Sequence, residues 1–216
     1  MGTSRNFTDD SSSLYQWLGL IEDSDHDHPH DSTSPRVTTL LASVLEKMIQ
    51  KNEKTFHRRH NKNDEITMFH CSRAPSMSIH RYIERIHRYS QCSPSCFVAA
   101  FAYILGYLQR PVATNTTRRL TSLNIHRLLI TSLLVAAKFL DRKCCNNAYY
   151  AKIGGVGTEE MNMLERTFLF DIDFRLNITV ENFEKHCIML QRGTMPCDSR
   201  KLRTVLGDIA CSCQAI

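Results

Sequence analysis

Chemistry in this chain would have to come from nine cysteines, ten histidines and one lysine set alone in apolar surroundings. Cys92, Cys96, Cys144, Cys145, His186 and Cys187 are of the types that hold zinc or carry thiol chemistry. No two of the nine stand in the CxxC spacing common to zinc modules, so small buried apolar thiols are the simpler reading and no metal site is assigned. The run HDHPHD, His26 to Asp31, offers weak ligands for a divalent ion, but with no second ligand cluster it reads as a solvated spacer. There is no GxSxG nucleophile turn, no HExxH helix and no glycine-rich phosphate loop, and Gly154–Gly155 is too short to be one. No catalytic residue, cofactor or small-molecule substrate is therefore assigned, and the chain is read as a non-enzyme. Lys138 is the remaining candidate. It ends the stretch NIHRLLITSLLVAAKFL (Asn124 to Leu140), where a cation is tolerated only if its methylene stem lies on apolar surface and its ammonium reaches a rim. That places it where a buried centre meets a rim.

Positioning such a lysine requires a helix apolar on nearly every side, and such a helix must be enclosed by other helices or by lipid. Its uninterrupted apolar part is far shorter than the ~20 residues of a membrane span, and His126, Arg127, Lys138, Arg142 and Lys143 flank it. No membrane partner is expected. With 216 residues, few β-branched runs and only 8 glycines, the composition predicts an all-α protein with one main core. The odd cysteine count and the lack of a signal peptide predict reduced thiols in an intracellular protein, in the nucleus or cytoplasm. Residues 1–35 hold one basic and seven acidic side chains, net −6, which leaves +11 on residues 36–216 of the overall +5. A basic body can attract nucleic acid, but only Arg81, Arg85 and Arg88 form a tidy stripe, and nucleic acid is the weaker reading.

Three regions are expected: a disordered acidic and histidine-rich tail over 1–35, a helical domain over 36–192, and a helical extension over 193–216. Within the tail, SLYQWLGLIED (Ser13 to Asp23) could fold as a short helix on a partner or on the protein's own body. Leu40, Leu41, Val44, Leu45, Met48 and Ile49 recur at helical spacing, predicting an amphipathic helix from Val37 to Lys54. The basic connector Phe56 to Asp64 follows. Five helices come next: one from about Ser76, one opened by Ser93 and Pro94 and stopped by Pro111, the apolar one capped by Ser122 or Asn124, one over about Asn146 to Ile153 closed by Gly154 and Gly155, and one from a Thr158 cap to about Phe170. Thr179 caps another, and Asp198 a last one to about Cys213.

This order of helices, with LLITSLLVAAKFLDRK third and TEEMNMLERTFLFDIDFRL fifth, resembles the cyclin box. The blocks SMSIHRYIERI, IHRYSQCSPSCFVAAFAYI, NIHRLLITSLLVAAKFLD and NNAYYAKIGGVGTEEMN look like the P-type, or U-type, cyclins of plants, relatives of fungal phosphate-regulatory cyclins; the resemblance runs from about Val37 to Arg192. It implies a single five-helix box that binds a cyclin-dependent protein kinase and holds the kinase's mobile helix in the active position. In that family a lysine ending the third helix and a glutamate in the fifth grip the kinase, and the matching positions are Lys138 and Glu165. The neighbouring apolar contacts carry over to Phe139, Leu169, Phe174 and Leu176. These six are the expected partner-binding residues. The plainer alternative for Lys138 and Glu165 is a surface ion pair worth about 0–1 kcal/mol.

Two departures from division-cycle cyclins stand out. An Arg of the first box helix and an Asp of the second, which pair there, are matched by Ser78 and Leu105, and loss of both charges together spares the fold an unpaired buried ion. Gly106 stands where an Arg is common and is expected to weaken its helix by ~1 kcal/mol. Both put in question substrate docking on the first helix. Alternatives from other classes are a cyclin-fold nucleic-acid-binding transcription factor, which usually has two boxes, and a thiol or zinc protein. Ser34–Pro35 and Ser93–Pro94 resemble proline-directed phosphorylation sites, although Ser93 is more simply a cap.

Overall fold

The computed structural model of the chain describes residues 7–21, 34–59, 66–110, 118–142 and 146–193, which hold eight α-helices and no strand. In order these are α1 (Phe7–Leu18), α2 (Arg36–Arg59), α3 (Ile79–Ser90), α4 (Pro94–Gln109), α5 (Ile125–Leu140), α6 (Asn147–Gly154), α7 (Thr158–Asp171) and α8 (Val180–Arg192). The all-α expectation holds. The five helices α3 to α7 form the expected box, α2 precedes it, and the helix expected over Asp198 to Cys213 lies outside the described residues, as do the HDHPHD run, Cys144 and Cys145.

The apolar helix is the centre of the molecule. Leu128 to Ala137 are all buried along α5, and α3, α4, α6 and α7 pack around it, with α4 making the most extensive contact. Burial ends abruptly at Lys138, Phe139 and Leu140, where α5 emerges from the core. Aromatic side chains close one end of this core: Phe69 meets Tyr107 edge-on at 5.3 Å, and Tyr107 stacks on Phe168 at 5.8 Å between ring centroids. α2 lays its apolar face, Val37, Leu41, Val44 and Leu45, against α3, α4 and α8.

The helix ends follow the sequence signals with three differences. Ser78 accepts the Arg81 amide at 3.3 Å, Asn146 accepts Tyr149 at 3.0 Å, Thr179 accepts Asn182 at 3.4 Å, and Gly155 closes α6 in the left-handed region at φ 73°. Ser93, however, occupies the cap position without capping through its side chain; its own amide is held by the carboxylate of Asp141 at 3.0 Å. At α7 the cap position is Gly157, with Thr158 the first helical residue, and before α5 the side chain of Asn124 turns back to accept the Thr121 amide at 2.9 Å. Only the first of these differences involves a distant neighbour; the other two are local.

Part of the stretch expected as a disordered tail is helical. α1 ends with Leu18 wholly buried, while Leu14, Tyr15 and Leu20 pack on the core beside α8 and α2. Tyr15 meets Phe183 edge-on at 5.9 Å, and its hydroxyl donates to Glu184 at 3.4 Å. Gly19 at φ 74° turns the chain back, with the Leu20 amide donating to Tyr15 at 2.9 Å. The polar composition of 1–35 masks this because one short apolar cluster is enough to dock a helix of three turns.

Candidate functional site

Lys138 reaches the rim as its isolation predicts. Its ammonium donates to Oε1 of Glu165 at 2.6 Å, joining the end of α5 to the middle of α7. The lysine side chain is 38% exposed and the glutamate 16%, so the pair is open to solvent on the lysine side only. Glu165 has a second partner that sequence reasoning missed: the Asn147 side-chain amide donates to Oε2 at 2.6 Å and to Asn162 at 2.8 Å. Asn147 starts α6, directly after the residue that caps it, and that adjacency was the available signal. Both carboxylate oxygens are thus directed, while the ammonium keeps donors for another molecule.

The four apolar positions lie on α5, on α7 and in the turn that follows α7. Leu169 lies one turn after Glu165 on α7, on the same stripe, partly buried against the core. Its carbonyl accepts the Phe174 amide at 2.9 Å, which turns the chain so that Phe174, at φ 54°, stands outward beside Phe170 with centroids 5.2 Å apart. Leu176 is held by its carbonyl, which accepts the Tyr103 hydroxyl at 2.7 Å. Phe139 and Leu176 line one groove of about 550 Å³ together with Leu140, Ile178, Val180 and Phe183, and with Leu20 and Ile21 after α1. Phe139 is 49% exposed and Phe174 55%, with Leu140 and Phe170 exposed beside them.

Asp141 is a further residue the sequence reading passed over. It caps α5 through its own amide, which donates to Ala137 at 2.9 Å, while its carboxylate receives the Ser93 amide at 3.0 Å and the Cys96 thiol at 3.4 Å. The end of the lysine-bearing helix is thereby tied to the start of α4.

Other candidates fare differently. In the stripe Arg81, Arg85 and Arg88, Arg85 is engaged by the protein itself, its Nε donating to the Ile153 carbonyl at 2.9 Å. His186 is buried on α8, edge-on to Phe101 at 6.1 Å, and burial pushes its imidazole below the usual range. Cys187 is buried beside it, and burial pushes that thiol up to about 12. Among the described residues no group of three or more His, Cys, Asp or Glu side chains could hold a metal ion, and no helix is long and apolar enough to cross a membrane. Of the departures, Ser78 serves as the α3 cap and Leu105 is fully packed in the core, so neither position leaves an unpaired charge.

A family model for cyclins matches residues 35–176, which takes in α2 through α7 and the turn to Leu176. The chain is 45% identical over 197 residues to Cyclin-P3-1 of Oryza sativa subsp. japonica, covering 90% of this chain and 80% of that protein. It is 42% identical over 168 residues to Cyclin-U4-2 of Arabidopsis thaliana, covering 77% and 76%, and 38% identical over 162 residues to Cyclin-U1-1 of the same plant, covering 75% of each. With the box built on α3 to α7 and these matches spanning it, the chain belongs to the cyclin family, on its plant P- and U-type side.

Proposed function

We propose that this cyclin is the regulatory subunit of a cyclin-dependent serine/threonine protein kinase, which it binds and activates through Lys138, Phe139, Glu165, Leu169, Phe174 and Leu176, in the nucleus or cytoplasm, in cell-cycle or nutrient-linked control of division. The observation that carries this reading is the 2.6 Å Lys138–Glu165 pair at the point where α5 leaves the core, with Asn147 directing the glutamate and exposed aromatics alongside. A pre-formed pair of this kind sets the register of a partner, while affinity comes from the apolar positions.

A protein kinase is active only when its own lysine–glutamate pair is assembled, which the position of a mobile helix decides. Shifting such a helix from about 1:99 to 99:1 in favour of the active arrangement takes about 5.5 kcal/mol of differential binding. Two or three large apolar side chains, at about 1.5–3 kcal/mol each when fully buried, are of the right size to supply it. The cyclin contributes contact free energy and no reacting group, as befits a family of regulatory proteins.

The test is co-purification of tagged protein from plant cell extract, wild type beside a Lys138→Ala, Glu165→Ala double variant. Wild type is expected to bring down protein kinase activity, and the double variant to lose it with its helical content and melting unchanged. Equal capture by both, or no kinase with wild type, sinks the reading.

A further inference from the structure

Two serines of the chain precede a proline, and the fold sets them in opposite electrostatic surroundings. Ser93, before Pro94, stands against a carboxylate. Its amide donates to Asp141 at 3.0 Å, its hydroxyl lies 3.3 Å from the Cys96 sulfur, and that thiol donates to the same carboxylate at 3.4 Å. A phosphate there would meet like charge and break the join between α4 and α5. Ser34, before Pro35, has a cation nearby instead. Arg36 opens α2 two residues on, and its guanidinium lies over the ring of Trp17 at 5.4 Å. Ser34, Pro35, Arg36, Trp17 and Gly19 line one open hollow of about 600 Å³ between the end of α1 and the start of α2. The seat is fixed from both sides. A Cβ on Gly19 would meet Pro35 at 3.3 Å, and the Pro35 carbonyl accepts the amide and the hydroxyl of Thr38 at 3.0 and 2.7 Å. Neither Ser34 nor Pro35 is helical, and Ser34 lies just beyond the amino end of α2, where the helix dipole favours negative charge.

We propose that Ser34 is a phosphorylation site for proline-directed protein kinases, and that its phosphate takes the Arg36 guanidinium away from Trp17. The sequence Ser34, Pro35, Arg36 supplies the proline such kinases require and a cation two residues after the serine. In the transfer the Ser34 oxygen attacks the γ-phosphorus of ATP, the bond to the β-phosphate oxygen breaks, ADP leaves, and the hydroxyl proton passes to the carboxylate base of the kinase. Kinases read extended chain, so the first turn of α2 must fray, and helix ends are the first parts to open. Once made, the phosphate carries about two negative charges and three acceptor oxygens. A guanidinium bound to phosphate by two parallel hydrogen bonds is held more strongly than one resting on an exposed ring face, so Arg36 changes partner. Leu18 is wholly buried, so α1 stays seated and the change is confined to its outer side, where Trp17 is 40% exposed. The site does not depend on the kinase-binding reading, since the modifying kinase need not be the one this cyclin binds.

Trp17 is the only tryptophan of the chain, so the rearrangement has its own optical signal. The full-length protein is incubated with ATP and one of two enzymes, a recombinant mitogen-activated protein kinase or a cyclin-dependent kinase already carrying its own cyclin. Phosphopeptides are mapped, and acrylamide quenching of Trp17 is measured before and after. Expected are phosphate on Ser34 with at least one enzyme, none on Ser93 with either, and quenching raised by at least about 1.5-fold in the phosphorylated protein. Phosphatase is expected to return the quenching to its starting value. Ser34→Ala should lose both the label and the quenching response, and Ser93→Ala should keep both. Unmodified Arg36→Gln should show the raised quenching without any kinase, with circular dichroism checking that each variant folds. No phosphate on Ser34 with either enzyme would overturn the proposal, as would phosphate on Ser93 in its place, or a phosphorylated Ser34 with unchanged quenching. If the wild type captures no kinase from extract, only the earlier reading falls, because mapping and quenching still decide this one.

Discussion

Phe139→Ala separates a binding surface from a packing surface more cleanly than any change to the ion pair. Phe139 is 49% exposed at the end of α5, directly after Lys138. A phenylalanine buries roughly 200 Å² when enclosed, so about 100 Å² remains for a partner to cover, worth up to about 2.5 kcal/mol at 25 cal/mol per Å². That converts to a dissociation constant weaker by roughly 60-fold. Stability should move much less than in a core phenylalanine truncation of about 3–5 kcal/mol, because half the ring already faces water and Ala is a good helix former. Calorimetric titration of the kinase recovered by co-purification, alongside thermal melts of the free cyclin, checks both numbers. Binding weakened by less than about threefold, with a wild-type melt, would place Phe139 outside the interface and remove the argument from exposed aromatics.

Two glycines in helices are expected to answer alanine in opposite directions. A Cβ on Gly106 meets nothing within 4 Å, so Gly106→Ala should raise stability by about 0.5–1 kcal/mol, read from the urea midpoint. A Cβ on Gly154 would sit 2.9 Å from Cγ1 of Ile130, so Gly154→Ala should destabilise by about 1–3 kcal/mol in the same assay. Leu18→Ala removes a wholly buried side chain at a cost of about 2–5 kcal/mol, enough to undock α1; fast amide exchange over 14–20 with a near-wild-type global melt is the expected signature, and unchanged exchange contradicts the docking. His87, His126 and His186 all titrate below 6.5 because burial disfavours their charged forms, so the unfolded chain binds more protons in that range. Stability should therefore fall as pH drops below about 6.5 and go on falling until the folded histidines protonate, with a shallower fall in His126→Gln; urea midpoints between neutral and mildly acid pH measure the slope.

Membership of the cyclin family makes the departures from division-cycle relatives physically readable. Ser78 and Leu105 do ordinary structural work, one as a cap and one in the core. A substrate-docking role on α3 would need charges other than Arg85, which is bound to the backbone of α6.

Local chemistry in the sequence was enough for the helices and many of their ends. A run of apolar residues between Leu128 and Ala137 can only be a central helix, Asn146 and Thr179 offer side-chain oxygens where amides need them, and Gly155 can take the left-handed turn that closes α6. The same run put Lys138 at a rim, because an ammonium cannot stay in such a core unpaired. The family resemblance already paired that ammonium with Glu165, and only the tertiary structure decided what directs the glutamate. Glu165 lies 27 positions away and Asn147 is 18 from Glu165, and periodicity states that a face is buried without naming what faces it. The same holds for Asp141, whose carboxylate takes the amide of the cap residue Ser93 from 48 residues away, and for Tyr15, whose partner Glu184 lies 169 residues on. Where a donor's neighbours are set by chain-distant packing, its best local partner loses to the one that packing brings closer.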